Sequence, residues 1–478
     1  MQHPSTSTLD VVIMAAGKGT RMKSAIPKVL QRLGGEPLLG HVMTLAQSLQ
    51  PRSRVVICGH GHEQVNHWLQ QGLQNPVSAA SAPVSTVLQE PQLGTGHALM
   101  QAVPVLPNNG HVLVLSGDVP LTQTHVLQAF LDAVAGSALG LLTVHMNNPS
   151  GYGRIVRTAN GQSVQAIVEH KDATEAQRAI TEVYSGVMCV RTADLKRWLN
   201  MLDNRNAQGE YYLTDIVKHA VAEGLTVQAH CIDDALQVAG VNNPAQLAEL
   251  ERAYQSRVAH ALMEHGVRLA DPARIDVRGA LNCGHDVEID VNCVFEGQVT
   301  LEDGVRIGPN CVIRHAHIQA GARIEAFTHI DGTGSPVQVG PQAQVGPFAR
   351  LRPGAQLGPD VHIGNFVEVK NSTLAAGAKA NHLAYLGDAT VGERVNYGAG
   401  SITANYDGAN KHRTVIGADV HVGSNSVLVA PVNVGAGGTI GAGSTVTRDT
   451  PEGALTVTRA KATHIANWQR PVKKKPNP

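Results

Sequence analysis

Aromatic side chains are scarce: 3 Trp, 8 Tyr and 5 Phe, 3% of a 478-residue chain. That is too few for large rings to dominate the core, as they do in most globular domains. Charge imbalance is also missing, with 38 Lys and Arg against 38 Asp and Glu. Nothing draws a polyanion in bulk, so nucleic acid is not a partner and any affinity for phosphate must be local. The six cysteines (Cys58, Cys189, Cys231, Cys283, Cys293, Cys311) form no C-x-x-C pair and no framework spacing, which excludes a disulfide scaffold and suits a reducing compartment. Long hydrophobic runs are absent as well. Met1 to Asp10 holds no Lys or Arg and the following apolar run ends at Ala16, so neither a signal peptide nor a membrane span is expected. The expectation is a soluble cytoplasmic protein of two or three domains.

What the chain has instead is glycine, 49 residues, and a ladder. Val339, Val345, Leu351, Leu357, Ile363 and Val369 are spaced six apart; Ile416, Val422, Leu428, Val434, Ile440 and Val446 repeat the spacing, and Ile289, Phe295, Leu301, Ile307 and Ile313 precede both. Six is neither a helix period nor a strand alternation, so every sixth side chain turns into a coil. Small residues follow many rungs, as in Val345-Gly346 and Val422-Gly423, and let the chain turn a corner. Three such faces close a triangular turn. With strands about 4.8 Å apart, the repeats make a prism about 45 Å tall. The pattern resembles the hexapeptide-repeat acyltransferases, which implies a left-handed parallel β-helix and assembly as a homotrimer.

The N-terminal part reads as an α/β sheet. A buried strand, Val11 to Met14, runs into Ala15-Ala16-Gly17-Lys18-Gly19-Thr20-Arg21-Met22. A glycine turn after a strand brings backbone N–H groups to phosphate oxygens, and a following helix would add its dipole. Arg21 and Lys28, the latter behind Pro27, add two cations. The string from Gly17 to Lys28 resembles the signature of sugar-phosphate nucleotidyltransferases. A second strand, His111 to Leu115, ends at Ser116-Gly117-Asp118, placing a carboxylate at the sheet edge where such folds bind ligands. That position suits Mg2+, which takes one or two carboxylates and phosphate oxygens.

Further segments, Gln89, Leu93 to Ala98, Gly151 to Ile155, Ile167 to Lys171, Asn206 to Asp215 and Gly240 to Asn243, are similar in order to those of the bifunctional uridylyltransferase/acetyltransferases that make UDP-N-acetylglucosamine for bacterial cell walls. That resemblance implies a Rossmann-like uridylyltransferase domain over residues 1–243. Its nucleotide and sugar site comprises Met14, Ala15, Ala16, Gly17, Lys28, Gln89, Gly94, Thr95, Ser116, Gly117, Asp118, Gly153, Glu169, Tyr184 and Asn242, with Arg21 and Lys28 catalytic and Asp118 and Asn242 on Mg2+. Tyr184 departs from the family, which usually has Asn there. Asn243-Pro244 and the apolar spacing after it predict a linker helix over 244–265 that holds the domains apart.

Residues 266–478 are the predicted β-helix acetyltransferase domain. The ladder lapses after Val369, resumes at Val391 and Tyr397 and lapses again before Ile416; loops leaving a rigid coil are expected to carry function. The resemblance implies His382 as general base, near Lys370 and Asn405, accepting a proton as a sugar amine attacks a thioester. It implies Arg352, Lys370, Tyr385 and Asn396 on the sugar phosphate, and Ala399, Asn405, Tyr406, Ser424, Ala442 and Arg459 on acetyl-CoA. UTP and acetyl-CoA are then the donors, and glucosamine 1-phosphate and N-acetylglucosamine 1-phosphate the acceptors. Two other readings use the same folds: a nucleotide-sugar pyrophosphorylase with a structural or regulatory β-helix, and a non-catalytic assembly subunit. The tail from Pro471 to Lys475 reads as a solvated end.

Overall fold

The computed structural model describes residues 8–73, 82–161 and 163–473; the first seven residues, read above for a leader, and Lys474 and Lys475 of the tail lie outside them. The chain divides into two compact units, Met1–Arg257 and Val258–Pro478.

In the first unit the strands stand in the order Val227–Ile232, Leu139–His145, Glu182–Arg191, His111–Ser116, Leu9–Ala15, Ser53–Cys58 and Val84–Leu88. Glu182–Arg191 runs antiparallel to both neighbours, and the remaining pairs on this path are parallel. The central strand is buried on both faces, with Val11, Val12 and Ile13 at 0% exposure, as its unbroken apolar run requires. Leu9–Ala15 and His111–Ser116 are paired Met14 to Ser116, so the glycine turn and the Asp118 turn leave from adjacent strand ends. One expectation fails here. The glycine turn opens a single 3-10 turn, Thr20–Met22, closed by left-handed Lys23, because Ile26-Pro27 follows too soon for a helix to continue. No helix dipole acts on that loop.

The helix Pro244–Glu264 begins as its sequence dictates: Asn243 Oδ1 accepts from Gln246 N at 2.9 Å. Its Leu247, Leu250, Ala253 and Tyr254 pack with Leu33, Leu38 and Leu121 of the first unit, while Val258, Ala259 and Leu262 belong to the core of the second.

The second unit is a left-handed β-helix. One face is an 11-stranded parallel sheet of mostly two-residue strands; the other two form a 16-stranded sheet, joined where Ile275–Cys283, Cys293–Leu301 and Val312–Ile318 run around a corner. Neighbouring coils stack at a separation of 18 residues, as in Asn292 on Asn310. Every residue of the three ladders is buried, at 4% exposure or less.

The lapse after Val369 is not a loop. Leu374, Ala380, Leu386, Val391 and Tyr397 continue the buried column, but Val369 to Leu374 and Leu386 to Val391 are steps of five. Asn371 and Asp388, left-handed at φ 45° and 49°, turn those corners one residue early, and coils here stack at 17. An insertion does lie between Thr403 and Ile416, where the separation becomes 25; a smaller one, between Asp331 and Val337, widens it to 21.

Candidate functional sites

In the first unit Met14, Ala15, Ala16, Gly17, Lys28, Gln89, Gly94, Thr95, Ser116 and Asp118 line one cavity of about 380 Å³. Gly117 anchors it by donating its N–H to Met14 O at 2.9 Å. The loop at Gly94 needs glycine: φ is +108°, and a Cβ would fall 2.6 Å from Tyr211 O. Gly96 N donates to that same carbonyl at 2.7 Å, so the segment Asn206 to Asp215 braces the loop, and its Glu210 also lines the cavity. Gln89 is 3% exposed and spends its amide hydrogens on Gly94 O and His97 Nδ1, at 2.9 and 3.2 Å.

At the cavity edge the Lys28 ammonium makes a short contact with Asp118 Oδ2 and lies 3.5 Å from Asn242 Oδ1, which also accepts from Arg21 at 2.9 Å. Two hard oxygens from distant segments thus converge on one cation, the donor set a Mg2+ ion with phosphate ligands requires. Val241 N donates to Asp118 O at 3.0 Å and Gln246 Oε1 accepts from Asn242 N at 2.9 Å, which fixes both donors.

Gly153, Glu169 and Tyr184 form a second group. Tyr184 N donates to Gly153 O at 2.9 Å, and a Cβ on Gly153 would lie 3.6 Å from Glu169 Oε1. Burial holds the Glu169 carboxyl above its usual range against the opposing Thr214 hydrogen bond, with Asp215, Asp172 and Glu210 adding to the rise. Burial, then the charge of Glu169, pushes the Tyr184 phenol up, and its hydroxyl is buried without a partner.

In the β-helix most of the residues expected at the acetyl site fall on two edges of one face. Along one edge Asn365 pairs with His382 in register. Ala399, Ser424 and Ala442 hold the same place in the coils that follow, each before the left-handed Gly400, Asn425 and Gly443. Arg459 closes the column, donating to Ala442 O at 2.5 Å. His382 is exposed, and its Nδ1 lies 2.8 Å from Asn365 Oδ1. Since an amide oxygen only accepts, Nδ1 carries the proton and Nε2 presents its lone pair.

Along the other edge Arg352 donates to Glu368 at 2.8 Å, and Lys370 pairs in register with Gly387. The Tyr385 hydroxyl lies where a side chain on Gly387 would stand, so the phenol spans the face beside Lys370. Asp388 accepts from Asn371 at 2.5 Å and from Asn405. The inserted loop holds exposed Tyr406, whose hydroxyl donates to Gly408 O at 2.6 Å. Asn396 is exposed one coil above Lys379, on the face that leads to the His382 edge. Backbone count puts His382 and Lys370 roughly 15 Å apart across the face; one chain does not bring His382 against Lys370 and Asn405.

Two residues beside the expected site escape sequence reasoning. Asn365 becomes visible only when coils of 17 set it against His382. Lys411, in the inserted loop, is bridged to Tyr406, and its ammonium meets that of Lys370. That contact, then burial, then the charges of Lys411 and Arg352 hold Lys370 below the ordinary 10.5.

An α/β cavity behind a glycine turn, with the oxygens of Asp118 and Asn242 converging at its edge, in one chain with a hexapeptide β-helix that exposes an oriented histidine, is the combination of a nucleotidyltransferase fused to an acyltransferase. Residues 11–193 match the model of the MobA-like NTP transferase domain and 333–436 that of the GMPPB C-terminal domain. The chain is 68% identical to the bifunctional protein GlmU of Polaromonas naphthalenivorans, over 99% of both chains. It is 66% identical to that of Paracidovorax citrulli over 98% of this chain and 99% of the other, and 66% to that of Albidiferax ferrireducens over 97% and 100%. The chain belongs to the family of bifunctional GlmU proteins. It is an enzyme of UDP-N-acetylglucosamine synthesis with acetyltransferase and uridylyltransferase activities. The likeness runs through the β-helix as well as the sheet, which sets aside the readings with a merely structural coil or no catalysis.

Proposed function

We propose that the β-helix transfers acetyl from acetyl-CoA to glucosamine 1-phosphate, and that the α/β unit couples the product to UTP with release of pyrophosphate. In the first step His382 Nε2 takes a proton from the sugar amine as nitrogen attacks the thioester carbonyl, with Asn365 holding the ring; the C–S bond then breaks and the CoA thiolate leaves, taking that proton from the imidazolium. Arg352, Lys370 and Lys411 bind the 1-phosphate, Tyr385 and Asn396 the sugar. Ala399, Ser424, Ala442 and Arg459 form the edge along which the cofactor lies, with Asn405 and Tyr406 against it. The two edges stand a face apart, and stacked Phe327, Phe348 and Phe366, at ring distances of 4.9 and 5.4 Å, and Leu383 are exposed along the His382 edge. Both favour a homotrimer in which a neighbouring copy completes each acetyl site.

In the second step the backbone from Ala15 to Gly17 cradles the phosphates while Gln89, Gly94 and Thr95 receive the base. Gly153, Glu169 and Tyr184 hold the sugar. Ser116 and Gly117 shape the turn that presents Asp118. Asp118 and Asn242 would hold Mg2+, which supplies charge neutralisation between phosphates when bound. Arg21 and Lys28 neutralise charge as the sugar phosphate oxygen attacks the α-phosphorus. Among the described residues no helix is long and apolar enough to cross a membrane, and a cytoplasmic site of action fits the free cysteines.

The observation that carries the uridylyl assignment is the single cavity lined by residues from four distant segments. The test is a coupled assay with glucosamine 1-phosphate, acetyl-CoA, UTP and Mg2+, each omitted in turn. Asp118→Asn should abolish uridylyl transfer and spare acetylation, and His382→Ala the reverse. Loss of both activities in either variant refutes the separate sites.

A further inference from the structure

We propose that Lys28 is a resident cation of the metal site: in the nucleotide-free enzyme its ammonium occupies the oxygens of Asp118 and Asn242 and excludes a divalent ion until phosphate draws it away. The inference rests on the reading of Asp118 and Asn242 as metal ligands. Lys28 contacts Asp118 Oδ2 and lies 3.5 Å from Asn242 Oδ1, which Arg21 already engages at 2.9 Å. The pair is largely shielded, with side chains of Lys28 and Asp118 at 14% and 19% exposure.

The stem of Lys28 is held in place, since a Cβ on Gly19 would fall 2.7 Å from Lys28 Cβ. The ammonium stands between the two oxygens, where a metal held by both would have to sit, so it must leave before an ion can take that place. Two cations against one carboxylate also leave the empty site positive, which repels a bare divalent ion. A triphosphate reverses that sign. It offers Lys28 and Arg21 better partners a short side-chain swing away, and the freed oxygens then face the metal together with phosphate oxygens. The same residue thus keeps the ligands in place while the site is empty and binds phosphate once it is filled, so metal entry follows the nucleotide.

Mn2+ serves as the probe, its free aquo ion read by electron paramagnetic resonance during titration of enzyme without nucleotide. Lys28→Met should bind Mn2+ at least tenfold more tightly than the unaltered chain, and Lys28→Arg, which keeps the charge, should not. Lys28→Gln gives the same answer should the Met variant fail to fold. With UTP present the unaltered enzyme should reach the tight affinity. Equal Mn2+ affinity of Lys28→Met, Lys28→Gln and the unaltered enzyme, with Asp118 still required, overturns this proposal alone. Undiminished Mn2+ binding in a Lys28→Met, Asp118→Asn double variant instead overturns the ligand assignment beneath it.

Discussion

Replacing Asn365 with Ala isolates the orientation of the general base. The His382 imidazole is exposed and its Nδ1 sits 2.8 Å from Asn365 Oδ1; this contact selects the tautomer with a lone pair on Nε2 and holds the ring over the face. A neutral hydrogen bond contributes about 0.5–1.5 kcal/mol net, and losing the tautomer preference raises the barrier further, so roughly 1–2 kcal/mol is expected. At about 1.4 kcal/mol per tenfold, kcat for acetyl transfer should fall roughly 5- to 30-fold. KM for acetyl-CoA should stay put, because Asn365 lies below His382 in the column and the cofactor residues above it. Asn365→Asp keeps an acceptor at the same place and should retain most of the rate. Uridylyl transfer, assayed on the same preparation, serves as the control. An unchanged acetylation kcat in Asn365→Ala, or equal loss of both activities, would refute the reasoning.

Lys411→Ala should raise KM for glucosamine 1-phosphate about 5- to 30-fold by removing one charge-assisted contact to phosphate, with KM for acetyl-CoA unchanged. Lys370 loses its proton at lower pH than an ordinary lysine, held down by Lys411 contact first, and a bound phosphate raises it again. Sugar-phosphate affinity therefore falls as pH climbs through the depressed value, and in Lys411→Ala that fall should move to higher pH; a stationary limb contradicts the pairing. Ile363→Ala empties a rung 1% exposed between Val345 and Ala380. Because Ala380 is already small and the coils on both sides pair with this one in register, the gap closes little; urea unfolding of the β-helix should lose about 3 kcal/mol, and a loss under about 1 would deny the rung its place in the core. Tyr184→Phe removes a buried hydroxyl that has no partner, so melting temperature should hold or rise while KM for N-acetylglucosamine 1-phosphate rises severalfold. A falling melting temperature would mean the hydroxyl is satisfied in the free enzyme.

The prism was legible because its rule is local: one inward branched residue in six, with small residues after it. The rule hides its own exceptions. A left-handed Asn371 or Asp388 turns a corner with one residue fewer, and in linear spacing that shift looks the same as a loop. The stretch Lys370 to Val391 therefore read as an interruption, although its backbone stays in register from Glu368 with Tyr385 to Thr390 with Val415. In the sheet, segments such as Leu93 to Ala98 and Asn206 to Asp215 were visible as motifs. Nothing in either told that the second supplies the carbonyl, Tyr211 O, on which the first is built.

The corner positions tie fold to chemistry more closely than the loops do. Asn365, His382, Ala399, Ser424 and Ala442 are far apart in sequence, yet each precedes the turn at the same corner of its coil, so parallel stacking spaces them about 4.8 Å apart in a straight line. At that corner the middle coils carry Phe327, Phe348, Phe366 and Leu383 in the left-handed region, at φ between 50° and 59°, a conformation that costs roughly 1–2 kcal/mol per residue outside glycine. Asn or Gly, which take that conformation at less cost, occupy the corner above and below. Coils that pay strain to expose rings, in the same stretch that supplies the base, are spending stability on a surface rather than on the core, and the histidine at its end is placed by that surface.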